Sequence, residues 1–255
     1  MNITVIHGSM RKGNTYSVTG AVLERLRERG DVTITEFRVG DLDLPFCISC
    51  HTCFTKGEDY CPHSEALKPV RDALEASDGI ILSGVCYAMH LNAAMKNFAD
   101  HFAYYFHRPR MFNKSGMVIT TTAGAGDSVV AKYLRQTLGH WGVGKAYILP
   151  VKIRTEKFSL TDKQAKRVNA AADRFYSNIK NRKLRPPSFS DMAVHNAFRA
   201  SSSIENPISE CDAAYWKASG FSERSYPRKT GFVKTFAGWF IYKFMRSFFI
   251  YLSKK

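Results

Sequence analysis

The chain has 255 residues, 45% of them hydrophobic and 23% charged, which is the balance of a globular protein and excludes a disordered one. Its formal charge of +15 points to an anionic partner, which can be a cofactor, nucleic acid or an acidic membrane surface. With no helix-turn-helix, zinc-finger or RNP pattern in the sequence, nucleic acid is not an expected partner.

Met1-Asn2-Ile3-Thr4-Val5-Ile6 opens the chain without the basic segment and apolar stretch of a secretory signal. We therefore expect a cytoplasmic protein in a reducing compartment, whose six cysteines are thiols, metal ligands or redox groups. Residues 3–6 form a short β-rich run ending in a glycine-containing loop, and Val18, Val22 and Leu26 then recur as one helical stripe. Residues 32–37 alternate as a second strand, and Leu67, Val70 and Leu74 mark the next helix. Residues 79–82 read as a buried third strand, followed by a helix over 94–106 with Met95, Phe98, Phe102 and Tyr105 on one face. Residues 117–121 supply a fourth strand, Val129, Tyr133 and Leu138 the face of a fourth helix, and residues 147–149 a fifth strand. The fifth helix starts at a cap, Thr161 with Gln164 three residues on, and carries Val168, Ala172, Phe175 and Ile179 on its inner side. Such β–α units imply a doubly wound α/β domain, a parallel sheet covered on both faces with ligands at the carboxyl ends of its strands.

Arg185-Pro186-Pro187 ends the regular pattern, dividing the chain into a domain of residues 1–185 and a mainly helical, basic, aromatic-rich extension of residues 186–255. Residues 188–230 show no clear core period. From 224 to 255 there are eight Lys or Arg and no Asp or Glu. The apolar stretch 232–252 is interrupted by Lys234, Lys243, Arg246 and Ser247, so it reads as an interfacial helix, or one packed on the main domain or a partner subunit, and not as a membrane span.

The loop after the first strand is His7-Gly8-Ser9-Met10-Arg11-Lys12-Gly13-Asn14-Thr15, and a helix follows at once. A helix start presents unpaired N–H groups and a positive dipole end to an anion. Ser9, Asn14, Thr15 and Ser17 add side-chain donors, Arg11 adds charge, and Gly8 and Gly13 let the backbone curl closely. The glycine spacing is neither that of a dinucleotide fold nor of a P-loop, which leaves a terminal monophosphate or an ordinary βα turn.

Gly8-Ser9-Met10-Arg11-Lys12-Gly13-Asn14-Thr15 resembles the GSxRxxGNT loop of the NADPH-dependent FMN reductase and iron–sulfur flavoprotein families, with Met10 in place of a common proline. Ser83-Gly84-Val85-Cys86-Tyr87, with Met95-Lys96-Asn97-Phe98-Ala99-Asp100 after it, is similar to the family's loop beside the isoalloxazine ring and its following helix. Here Gly84-Val85-Cys86 replaces the frequent Pro-x-Tyr. Thr121-Thr122-Ala123-Gly124-Ala125-Gly126 resembles the small-residue loop at the flavin's other edge. The likeness spans about residues 1–180. It implies a flavodoxin-like sheet of five parallel strands in the order 2-1-3-4-5. Bound FMN would be held by Gly8, Ser9, Arg11, Asn14, Thr15, Ser17, Ser83, Val85, Cys86, Tyr87, Thr122, Ala123, Gly124 and Gly126, with Tyr87, Met89 and His90 as candidate walls for the ring.

Cys47, Cys50, Cys53 and Cys61 form C-x2-C-x2-C-x7-C after the second strand. Clustered thiolates of this kind hold a [4Fe–4S] cluster or zinc, or act as free redox thiols. The compact spacing of the first three suits a cluster, and iron–sulfur flavoproteins carry a similar motif in this region. His51 and His63 flank it, and Cys86 and Cys211 lie outside as packed residues. The expected function is an NAD(P)H-dependent flavin oxidoreductase that passes electrons through FMN to a quinone, flavin, small oxidant or cluster, with no acid–base pair required of the protein. The rivals are a flavodoxin-like carrier and a membrane-surface redox sensor. A homo-oligomer and a peripheral contact with the inner membrane surface through residues 232–255 complete the expectation.

Overall fold

The computed structural model describes residues 1–144, 146–155, 158–205, 207, 209–221, 223 and 226–253. In chain order its elements are β1 (Asn2–His7), α1 (Asn14–Glu28), β2 (Thr33–Arg38), α2 (Thr52–Thr55), α3 (Ser64–Ala76), β3 (Gly79–Tyr87), β4 (His90–Leu91), α4 (Ala93–His101), α5 (Tyr104–His107), β5 (Ser115–Thr122), α6 (Asp127–His140), β6 (Tyr147–Lys152), α7 (Asp162–Lys180), α8 (Phe189–Ser201), α9 (Glu210–Ala218) and α10 (Phe232–Ser253).

The parallel strands lie in the order β2-β1-β3-β5-β6, the flavodoxin-like 2-1-3-4-5 arrangement, and β4 is an addition to it. After β3 the chain turns back and pairs antiparallel with it, Cys86 opposite Leu91 and Tyr87 opposite His90, so β3 runs well past the expected residues 79–82. The sheet is covered on both faces. Ile80 and Leu82 of β3 point into one core and Ile81 into the other, as do Val118 against Met117 and Ile119 of β5. The stripe Val18, Val22 and Leu26 of α1 packs with Val168, Ala172 and Phe175 of α7 on one side. Leu67, Val70 and Leu74 of α3 pack with Phe98 of α4 and Leu134 of α6 on the other. The cap at Thr161 is a full capping box with Gln164.

Two helices differ from the expected pattern. The single helix over 94–106 is two, α4 and α5, separated at Phe102 and Ala103. Phe102, Tyr104 and Tyr105 all enter one core. In a continuous helix Phe102 and Tyr104 would point about 200° apart, and the break is what turns both inward. In α6 the inner stripe is Val130, Leu134 and Leu138, while Val129 is exposed and Tyr133 only half-buried. Leu138 is therefore on the inner face as expected, while Val129 and Tyr133 each lie one residue before an inner position.

Helices α8 and α9 explain why residues 188–230 show no apolar period. The buried face of α8 includes Asp191, His195, Asn196 and Arg199, and that of α9 is Asp212 and Trp216. Asp191 accepts the Ser188 N–H at 2.7 Å and Asn196 donates to the Met192 carbonyl at 2.8 Å, both within α8 and its cap, while Asp212 and Trp216 meet groups from other segments. Arg108, 1% exposed, donates to Asp212, to Glu58 at 2.9 Å and to the Cys53 carbonyl at 2.6 Å. His107 Nδ1 lies 2.7 Å from Asp212, and the Trp216 indole donates to the His107 carbonyl at 3.0 Å. Arg110 bridges Glu58 and Glu75 at 2.5 and 2.9 Å. The segment after α5 is thus gripped between α9 and the cysteine-bearing stretch.

Helix α10 packs along α8, with Tyr242 donating to Ser203 at 3.1 Å and the Arg199 guanidinium 3.9 Å over the Tyr242 ring. Its other face exposes Phe232, Phe236, Trp239, Phe240 and Phe244. Among the described residues, no helix is long and apolar enough to cross a membrane. Arg224, Lys254 and Lys255 lie outside the described residues.

Removing Asp212 leaves a buried guanidinium short of one carboxylate. Asp212→Ala is expected to cost about 3–5 kcal/mol of stability, read as a lowered midpoint of urea unfolding.

Candidate functional site

The motif-bearing loops meet at the carboxyl ends of the parallel strands. In the first loop, Gly8 N–H donates to the Ser83 carbonyl at 2.8 Å, and the Asn92 amide donates to the Gly8 carbonyl at 2.7 Å. A Cβ on Gly8 would sit 2.7 Å from that Ser83 oxygen and 2.8 Å from the Met95 side chain, so the close approach requires glycine. Most of the hydroxyls and amides expected to reach a ligand are instead bonded to the chain. Ser9 Oγ donates to the Arg11 carbonyl (2.8 Å), Ser17 Oγ to the Gly13 carbonyl (3.3 Å) and the Asn14 amide to the Thr155 carbonyl (3.1 Å). Thr15 is buried, its hydroxyl 2.5 Å from that of Thr121. Left facing outward is the start of α1, whose N-cap Gly13 has no side chain to offer and whose first turn holds no acid. Beside it a cleft of about 620 Å³ is lined by Arg11, Lys12, Ala123 and Arg154. Arg154, after β6, was not anticipated. The rule that every strand's carboxyl end borders the ligand crevice could have found it.

A second cleft, about 530 Å³ and mostly apolar, begins at Met10 and is walled by Leu44, Phe46, Tyr87, Asn92 and Asn97. The first loop therefore separates the two clefts, with Met10 on one side and Arg11 on the other. Tyr87 and Phe46 are each 74% exposed over it, and Phe46 is a second residue the sequence did not single out. Asn92 Oδ1 is buried without a partner among the described residues, leaving an acceptor available on the lining of this cleft. Between Tyr87 and His90 the chain turns through Ala88 (φ 47°) and Met89 (φ 68°), two left-handed residues at a two-residue hairpin. Such backbone is retained where its surroundings hold it. Here the Cys86 thiol donates to the Ala125 carbonyl at 3.1 Å. Gly126 (φ 89°) packs so closely that a Cβ would lie 2.6 Å from Cys86 Sγ and 2.8 Å from Met89 Cα. Thr122 Oγ1 donates to the Ala125 carbonyl (2.9 Å) and accepts the Gly124 N–H (3.2 Å), while a Cβ on Gly124 would meet nothing within 4 Å among the described residues. Val85 is half-buried opposite Thr121, and Ser83 is fully buried with its hydroxyl on the Ile6 carbonyl (3.3 Å). Both hold the frame on which the hairpin stands.

The cysteine stretch is tied down by α4. Asn97 Oδ1 accepts the Cys47 N–H at 2.9 Å and its amide donates to the carbonyls of Pro45 (3.0 Å) and Leu44 (3.3 Å). Cys47, Cys50, Cys53 and Cys61 line one cavity of about 190 Å³, together with His51 and His101. Burial pushes the Cys53 thiol up to about 11, and the neighbouring Cys61, Cys47 and Cys50 thiols add to this against the help of Arg108. Burial also raises Cys61, while the Thr52 hydroxyl lowers Cys50. Tetrahedral zinc with 2.3 Å Zn–S bonds needs sulfurs about 3.8 Å apart. Among the described residues the four thiols do not converge within 4.8 Å of one another. A cubane would place each thiolate on a different iron and so hold them farther apart than one zinc does. The donor set and spacing fit a cluster better than a four-thiolate zinc. Cys86 packs against Ala125, and Cys211 packs near Gly57.

Because Gly126 has both a left-handed φ and no space, Gly126→Ala is expected to spread the hairpin. The expected loss is at least tenfold in flavin affinity, about 1.4 kcal/mol, read by equilibrium dialysis with a circular-dichroism check of folding.

Residues 1–151 match the family model of NADPH-dependent FMN reductases. An iron–sulfur flavoprotein of Archaeoglobus fulgidus is 27% identical over 229 residues, 87% of this chain and 100% of that protein. An iron–sulfur flavoprotein of Clostridioides difficile is 25% identical over 219 residues, 85% of this chain and 95% of that one. Among solved structures, the apo form of an NADH:FMN oxidoreductase superposes with a TM-score of 0.53 at 22% identity, over 69% of this chain and 89% of that chain. At that identity the likeness is one of fold. The family match covers more than half of the sequence, so this chain belongs to the NADPH-dependent FMN reductase family and is an NAD(P)H-dependent flavin oxidoreductase of that type.

Proposed function

We propose that the chain accepts electrons from NAD(P)H at FMN and relays them through an iron–sulfur cluster on Cys47, Cys50, Cys53 and Cys61 to a small-molecule acceptor. The observation that carries the relay is the double role of Asn97. It lines the apolar cleft and also binds the Cys47 N–H at 2.9 Å, so the flavin cleft and the cysteine cavity share a wall. The names of the Archaeoglobus and Clostridioides relatives support the same reading.

When bound, FMN supplies the conversion between two-electron and one-electron chemistry. In this reading the chain's own groups bind and orient. The N–H groups opening α1, with Arg11, Lys12 and Arg154, receive the phosphate. The hydroxyls of Ser9, Thr15 and Ser17 act one step back by holding the loop that presents those N–H groups. Tyr87, Phe46 and Met10 bound the ring's cleft, and its open side leaves room for nicotinamide. Asn92 Oδ1 is an acceptor for a ring N–H, and the Gly126–Cys86 contact fixes the hairpin carrying Tyr87. Arg108, bonded to the Cys53 carbonyl, keeps positive charge beside the thiolates a cluster requires.

The exposed aromatic face of α10 supports a second element, peripheral contact with an anionic membrane. Lys243 and Arg246 lie among its exposed aromatics and no acid lies on the helix. Long basic side chains can reach headgroups while the rings enter the interface.

Anaerobically purified protein is expected to carry flavin and about four irons with matching sulfide, and to oxidise NAD(P)H. Cys47→Ser should lose iron yet keep flavin and NAD(P)H oxidation with a small artificial acceptor. Iron-free wild-type protein with full turnover to its acceptor would remove the relay. For α10, the triple variant F236S/F240S/F244S should bind anionic vesicles more weakly than wild type while neither binds zwitterionic ones. Equal vesicle binding, with a change in molar mass by light scattering, would make this face a contact between two copies instead.

A further inference from the structure

Beside the four-cysteine cavity lies a ligand set that the cysteine motif does not contain. Cys61, His63 and His101 each bring one donor atom within 4.8 Å of the others, and among the described residues they are the group of three or more that does so. The cysteine-flanking His51 is not in it. Cys61 and His63 are fixed at the start of α3, where Ser64 N–H donates to the Cys61 carbonyl at 2.9 Å and Leu67 N–H to the His63 carbonyl at 3.3 Å. His101 comes from the last turn of α4, and its ring meets that of His63 edge-on at 5.1 Å.

His101 is the telling residue. It is 4% exposed, and its Nε2 lies 2.9 Å from the Pro45 carbonyl, which can only accept. That places the proton on Nε2 and leaves Nδ1 with a free lone pair. Nδ1 is buried and has no partner among the described residues. An imidazole whose one N–H is held by a backbone carbonyl, whose other nitrogen is buried and unpaired, and which stands beside a thiol and a second imidazole has the arrangement by which proteins orient metal-binding histidines. An unpaired buried nitrogen is otherwise a cost without a return.

We propose that Cys61, His63 and His101 form a mononuclear site for a divalent cation of the zinc class, usable in the chain before a cluster is assembled or after one is lost. One sulfur and two imidazole nitrogens are a donor set suited to zinc and cobalt. Three protein ligands leave the fourth position to water, for which the adjoining cavity of about 190 Å³ has room. Binding replaces the Cys61 thiol proton, which passes to solvent, and no electron moves. Because Cys61 also belongs to the four-cysteine motif, cation and cluster exclude one another, so the site would act as a metal-dependent brake on cluster assembly. The cation site does not require the cluster reading, since it is measured on iron-free protein.

The test is titration of the iron-free, FMN-loaded full chain with Co²⁺, followed by displacement with Zn²⁺. The expected result is one cobalt per chain, with tetrahedral ligand-field bands and a thiolate charge-transfer band. His63→Ala and His101→Asn should each weaken cobalt binding at least about tenfold. Asn at 101 retains a donor for the Pro45 carbonyl, and His63 is only half-buried, so two independent variants guard against a simple folding defect. The double variant C47S/C50S should bind cobalt as wild type does. Both histidine variants should still take up iron and sulfide, and Zn²⁺ should block that uptake in wild type but not in His63→Ala. Cobalt binding that survives both histidine substitutions, or that is abolished by C47S/C50S, would overturn the site in favour of a thiolate-only one.

Discussion

A guanidinium taken almost wholly out of water must be met by charge and by hydrogen-bond acceptors, because the loss of solvation is otherwise several kcal/mol. Arg108 imposes that constraint on this molecule. Its partners come from two distant parts of the chain: Asp212 on α9, and Glu58 and the Cys53 carbonyl within the cysteine stretch. Satisfying one buried cation therefore brings the carboxy-terminal helices onto the cysteine loop. Ser209 at the cap of α9 adds a bond to the Phe54 carbonyl at 2.6 Å, and across the same junction Phe54 stacks on His107, whose ring meets Phe198 at a tilt. The cysteine loop is mostly exposed and has little apolar burial of its own, and this clamp is what gives it a defined place beside the apolar cleft.

The loop between β1 and α1 illustrates a division of labour between backbone and side chain. Its sequence is rich in hydroxyls, yet those hydroxyls bond to the loop's own carbonyls or to β5. A short loop presenting backbone N–H groups has to hold its shape against water competing for its carbonyls, and short polar side chains do this at low conformational cost. Charge then comes from longer residues at the rim, Arg11, Lys12 and Arg154. On the other side of the cleft the same logic uses steric exclusion. Gly126 leaves room for Cys86 and for the two left-handed residues Ala88 and Met89, so the hairpin is held by contact and not by its own turn preference.

Helix α10 is the most apolar element facing outward, and it has basic residues without acidic ones. One side is spent on α8 through Tyr242 and Arg199. The other exposes Phe236, Trp239, Phe240 and Phe244, with Lys243 and Arg246 among them.

The regular elements were legible in the sequence because they follow local rules. Apolar residues at Val18, Val22 and Leu26, alternating runs in the strands and the Thr161–Gln164 box each depend on neighbours a few residues away, and each is where periodicity placed it. The loop motif likewise named the flavin chemistry, and the family match agrees with it. What only the tertiary structure decided concerns groups brought together from distant segments. The break in α4–α5 arises because three aromatics share one core, and the buried face of α8 was hidden because its inner residues include Asp191, Asn196 and Arg199, polar groups that bond within the helix and its cap. The unpaired Nδ1 of His101, a ring beside Cys61 and His63, exists because the Pro45 carbonyl accepts the ring's N–H at Nε2. Residue type and spacing determine which local structure forms and which chemistry is available. Where a hydroxyl, a charge or a lone pair points is set by the partners that folding places around it, and those are many residues away in the chain.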